Sequence, residues 1–106
     1  MKLVLLFKRK NGMSVEAFME HWRTVHIPLV LAVPGIQRYT ITPFDSSPEH
    51  GDPPYDGMAE LYFDSRADLD AALESEATAE TARDARNFIE RGSILRLISK
   101  GEQQIA

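Results

Sequence analysis

The stretch Lys2-Leu3-Val4-Leu5-Leu6-Phe7-Lys8 sets five consecutive apolar residues between two lysines. A strand with one wet face alternates apolar and polar residues. This run does not, so it reads as a strand covered on both faces. Residues 93–99 repeat the theme, with Leu95 and Leu97 on one side and Ile94, Arg96 and Ile98 on the other. Two further strands lie between them. Residues 36–42 place Tyr39 and Ile41 opposite Arg38 and Thr40, and residues 55–64 place Gly57, Ala59, Leu61 and Phe63 opposite Met58, Glu60 and Tyr62.

The connections follow from periodicity and punctuation. Asn11-Gly12 turns the chain, Ser14 is placed to cap a helix, and Glu16 sits in its first turn, where the dipole favours an anion. Val15, Phe18, Met19, Trp22, Val25, His26 and Leu29 then recur at helical spacing. This predicts a helix over 14–26 that ends or kinks before Pro28, with Pro34-Gly35 closing the segment after it. Residues 43–54 hold four prolines, have no apolar period and read as an exposed loop framing the mouth of a pocket. Ser65-Arg66-Ala67-Asp68 has capping-box spacing ahead of a helix, an Ala-rich helix follows over 76–88, and the last residues read as a frayed tail.

The resulting order, strand, helix, strand, strand, helix, strand, is the ferredoxin-like βαββαβ pattern: an α+β fold with a four-stranded antiparallel sheet and helices on one face. The other face, apolar on the first and last strands, would be an exposed greasy patch in a monomer, so the chain is expected to form a homodimer through its sheets.

Composition agrees with one domain spanning 1–106: the 106 residues are 43% hydrophobic and 26% charged. Cysteine is absent, which removes disulfides, thiolate metal sites and cysteine nucleophiles. No window has the length and hydropathy of a membrane span or a signal peptide, and a cytoplasmic location is expected. The net charge is −4 and uneven: residues 43–90 carry thirteen Asp/Glu against three Lys/Arg. No basic cluster interleaved with aromatics occurs, so nucleic acid is not an expected partner, and neither is a membrane.

His21 and His26 are five apart, about 140° around an α-helix, too far to clamp one metal ion. His26 shares the apolar stripe with Trp22, while His21 falls toward the flank beside Glu20 and Arg23. Two readings of His26 stay open: a satisfied core histidine, or a base lining a cavity at a helix end, held by Glu60 or a tyrosine hydroxyl. Glu60 is a carboxylate on a strand otherwise patterned as buried, so it should meet Arg38, Arg96, His26 or a ligand. Tyr39, Tyr55 and Tyr62 are phenols that can end in a pocket or simply pack. No phosphate-binding glycine loop, nucleophile elbow or zinc motif is present, and neither nucleotide nor metal is expected.

The segments Arg9-Lys10-Asn11-Gly12-Met13-Ser14, Phe18, His21-Trp22, His26-Ile27-Pro28-Leu29, Pro34-Gly35, Tyr39 and Tyr55-Asp56-Gly57-Met58-Ala59-Glu60-Leu61-Tyr62-Phe63 occur in that order. Together, over residues 1 to about 98, they resemble the EthD family, named for bacterial ether degradation. Asn11 stands where a proline is frequent, which affects only the turn. The resemblance implies a dimeric α+β barrel and a pocket between the first helix and the sheet. Related barrels include polyketide cyclases, cofactor-independent monooxygenases, muconolactone isomerases and haem-degrading enzymes. His26, Trp22, Tyr39 and Glu60 fall on the family's recurring polar and aromatic positions. The resulting expectation is an enzyme for a small hydrophobic or polyketide-like substrate, with His26, Glu60 and Tyr39 catalytic and Trp22, Tyr62, Arg38 and Phe63 binding substrate. The alternatives are a non-catalytic carrier of a hydrophobic metabolite and a haem protein with His26 as axial ligand.

Overall fold

The computed structural model describes all 106 residues, Met1–Ala106. Strands β1 (Lys2–Phe7), β2 (Arg38–Pro43), β3 (Gly57–Tyr62) and β4 (Leu95–Ser99) form one sheet in the order β2-β3-β1-β4, and every pairing is antiparallel. Helices α1 (Val15–His21) and α2 (Ile27–Leu31) lie between β1 and β2, and α3 (Arg66–Leu73) and α4 (Glu76–Ala85) between β3 and β4. This is the ferredoxin-like α+β fold. Ser14, Ser65 and Ser75 cap α1, α3 and α4, each hydroxyl accepting from a backbone N–H three residues on.

Register decides which side chains share a face. Leu3 lies opposite Leu61 and Ile98, and Leu5 opposite Ala59 and Arg96; Val4 lies opposite Glu60 and Leu97. Directly opposed residues in antiparallel strands point the same way. Leu3, Phe7, Ala59 and Leu61 therefore enter the core with Phe18, Trp22, Leu69 and Phe88 from the helical layer. Val4, Leu6, Met58, Glu60, Tyr62 and Leu97 occupy the opposite, outer face. At the sheet edge Leu95 and Leu97 are 41% and 48% exposed. The C-terminal tail does not simply fray: Glu102 folds back to accept from Lys2 Nζ at 2.9 Å and from the Tyr62 hydroxyl at 3.1 Å.

The first helical region departs from the expected plain α-helix. Between α1 and α2, Trp22–His26 form a π-helical turn in which the Ile27 N–H donates to the Trp22 carbonyl. Pro28 accounts for its position: a proline ring clashes with the carbonyl four residues back, here Thr24, and a widened turn relieves the clash. Pro28 then occupies the first turn of α2, where no N–H is needed, and the helix runs on to Leu31. His26 is consequently not at a helix C-terminus.

Trp22 is fully buried, its ring centroid 5.0 Å from that of Phe7. Its six-membered ring lies directly on Gly57, so that a Cβ there would come within 2.5 Å of Cζ3 and 2.6 Å of Cη2. Gly57 is required for this approach rather than for a turn. Gly57→Ala is expected to destabilise the fold by about 1–3 kcal/mol through overpacking. Urea unfolding monitored by Trp22 fluorescence checks this; an unchanged midpoint refutes it.

Candidate functional site

The π turn rearranges the histidines. Its hydrogen bonds run i→i+5, so residues five apart are brought onto one face. His21 and His26, expected on different faces, converge on one carboxylate. His21 Nε2 lies 2.9 Å from Asp84 Oδ1 and 3.1 Å from Oδ2, and His26 Nδ1 lies 2.9 Å from Oδ2. Asn87 Nδ2 donates to Oδ1 at 3.0 Å. Asp84, on the last turn of α4, is only 7% exposed. Both imidazoles rest on Phe88, at centroid distances of 4.9 Å for His21 and 4.7 Å for His26.

An ionised carboxylate only accepts, so both histidines donate to Asp84 and their tautomers are set. His26 carries its proton on Nδ1, and its Nε2 makes no hydrogen bond to the protein. Burial holds the His26 pKa below its ordinary 6.5, more strongly than the bond to Asp84 raises it. Burial of Asp84 would raise its own pKa, yet hydrogen bonds from Asn87, His26 and His21 together hold the carboxyl below its usual range. The result is a neutral imidazole oriented by an anion, the arrangement of a general base and its orienting group.

His26 lines a cavity of about 90 Å³ between the helical layer and the sheet, where it meets Trp22, Tyr39, Phe63, Leu5 and Arg96. Trp22 Nε1 and the Tyr39 hydroxyl are buried there without hydrogen-bond partners. Burial pushes the Tyr39 phenol up to about 12, while the adjacent Trp22 side chain acts more weakly in the opposite direction. No cluster of three His, Cys, Asp or Glu side chains is placed to hold a metal ion.

The remaining sequence candidates lie elsewhere. Glu60 is on the outer face and cannot reach His26; its partner is Lys2, not Arg38, Arg96 or His26. The bonds to Glu60 and then Glu102 raise the Lys2 pKa well above the ordinary lysine value. Arg38 and Tyr62 belong to the same outer cluster, with the guanidinium 4.8 Å from the centre of the Tyr62 ring. No residue of 43–54 lines the cavity. The end of that loop is tied down instead by Asp56, whose Oδ1 and Oδ2 accept from the Arg9 side chain and backbone N–H at 2.8 and 2.7 Å.

Asp84 was not singled out by sequence, although a signal was present. It shares a helical face with Thr81, Ala85 and Phe88, and a carboxylate in a buried stripe needs partners, as reasoned for Glu60. Its partners could not be read because α-helical geometry separates the histidines.

Residues 10–92 match the EthD domain, and the chain belongs to the EthD family. An uncharacterised 11.0 kDa protein of Rhodococcus erythropolis, from the thcB–thcC intergenic region, is 36% identical over 77 residues, spanning 72% of this chain and 73% of that protein. The crystal structure of an ethyl tert-butyl ether (EthD) family protein from Bacillus halodurans superposes with a TM-score of 0.80 at 26% identity, covering 95% of this chain and 97% of that one. A dimeric ferredoxin-like protein of unknown function from Thermobifida fusca shares the fold, with a TM-score of 0.67 at 14% identity over 91% and 85% of the two chains.

The lowered His26 pKa has a definite sign in stability. Between the folded value and 6.5 the unfolded chain binds more protons, so stability falls as pH drops below 6.5 and levels off once His26 is protonated in the fold. Imidazole NMR titration is expected to place the His26 midpoint below 6.5, and lower still in Asp84→Asn, where the anion favouring the cation is gone. A midpoint that rises in Asp84→Asn contradicts this assignment.

Proposed function

We propose that this protein is an enzyme in which His26 Nε2 takes a proton from a small hydrophobic or aromatic, polyketide-like substrate bound between the first helical region and the sheet. The observation that carries this reading is a neutral imidazole on an apolar cavity, its Nδ1–H held by buried Asp84 and its Nε2 unbonded. Proton abstraction of this kind needs no metal or nucleotide. Removing a proton beside a carbonyl builds negative charge on the carbonyl oxygen. Tyr39, kept protonated by its high pKa, and Trp22 Nε1 are the donors available to that oxygen. Phe63 supplies apolar wall. Glu60, Arg38 and Tyr62 take no part in this chemistry.

The mostly apolar wall also supports the second reading, a carrier that holds a hydrophobic metabolite for another enzyme. Native mass spectrometry of the purified protein separates the two once a retained molecule is identified: an enzyme converts it, and a carrier releases it unchanged. For the enzyme, His26→Ala is expected to lower turnover by about 10²–10⁴-fold. Stability should change little, because Asp84 keeps His21 and Asn87 as partners. Full turnover in His26→Ala excludes His26 as the base.

We also propose a homodimer in which the outer sheet faces meet. Val4, Leu6, Met58 and Leu97 form the apolar part of that face, and the similar Thermobifida fusca protein is dimeric. Leu97→Asp is expected to yield a folded monomer by light scattering, whereas an unchanged dimer mass places the interface elsewhere.

A further inference from the structure

We infer that the substrate of this site is an organic anion, its charged group held by Arg96 at the mouth of the cavity and its apolar body inside. The inference rests on the proposed ligand-binding role of the His26 cavity and adds the substrate's charge. Arg96 is on β4 directly opposite Leu5, on the sheet face that looks toward the helices. The other residues of that face in the central strands, Leu3, Leu5, Phe7, Ala59 and Leu61, are apolar. Arg96 lines the same cavity as His26, yet it forms no hydrogen bond or ion pair with any side chain of the protein. A guanidinium is a planar fork of donors suited to a carboxylate, and here no protein carboxylate fills it.

The surroundings extend the same sign. An open groove adjoins the cavity and shares Ala85, Ile89 and Ile94 with it. Lys10, Arg86 and Arg91 project into that groove, and none of them is ion-paired; its one acid, Glu90, is 3.9 Å from Lys8. Three unpaired cations thus line the groove that adjoins the cavity of Arg96, in a chain whose net charge is −4. Such a rim attracts anions to the cavity against the overall charge of the molecule. A cation beside the mouth also favours an enolate formed inside, so the same residue that selects the substrate lowers the cost of ionising it.

The test uses a matched pair of probes, 1-naphthoate and 1-naphthamide, which differ in charge and little in shape. Binding is measured by calorimetry and by the imidazole NMR signals of His26. The wild-type protein is expected to bind naphthoate about tenfold or more tightly than naphthamide, in line with a charge-assisted contact. Added salt should erode the affinity for naphthoate and spare that for naphthamide. Arg96→Gln should abolish the preference while leaving naphthamide binding intact, and Arg96→Lys should restore part of it. Equal affinities in the wild type, or a preference that survives Arg96→Gln, overturn the inference and leave the proposed cavity function standing. If neither probe moves the His26 signals, the ligand-binding reading itself fails and this inference falls with it.

Discussion

Asp84 is a carboxylate taken almost entirely out of water, and the arrangement around it follows from that burial. An unpaired ion in such a place costs several kcal/mol, so the fold must deliver donors to it. It delivers three, from Asn87 on its own turn and from His21 and His26 across the helical layer. These bonds tie α4 to the first helical region at a fixed height above the sheet. The two imidazoles are thereby oriented by structure, before any ligand arrives. The Phe88 ring beneath them excludes water from the lower side of both.

The strands near 36–42 and 55–64 and their faces were legible because a period of two is insensitive to what lies above or below the sheet. Ala59, Leu61 and Phe63 are buried, as the alternation required. Ser14 and Ser65 were legible as caps for a similar reason, since a cap is a local hydrogen bond. The histidine pair was not, because the argument from 100° per residue assumes an uninterrupted α-helix, and one proline was enough to widen a turn. Glu60 was recognised as needing a partner, but its partner depends on register. Pairing Lys2 with Tyr62 and Val4 with Glu60 brings the Lys2 ammonium alongside, and only the assembled sheet specifies that pairing.

The two sheet faces hold different kinds of polar chemistry. On the helix side, His26, Tyr39 and the indole nitrogen of Trp22 meet at a small, mostly apolar cavity that Arg96 also lines. On the outer side, Lys2, Glu60, Tyr62, Arg38 and Glu102 form a cluster that neutralises itself. Gly57, at the start of β3, gives the ring of Trp22, the first residue of the π turn, the room it needs against the sheet. One missing methyl group therefore sets how close the helical layer comes to the sheet.

The order of pairing in the sheet has a bearing on how the protein is made. β1 leaves the ribosome well before its neighbours β3 and β4, which begin at residues 57 and 95, and Lys2 pairs with Ser99. Both edges of this apolar strand stay unpaired until β3 emerges, and one stays open until β4 follows. Such an edge invites pairing with other nascent chains. The lysines at each end of the run, Lys2 and Lys8, place charges at the limits of the exposed segment throughout that interval. The same residues that bound a strand in the finished sheet thus guard it while it waits for its partners.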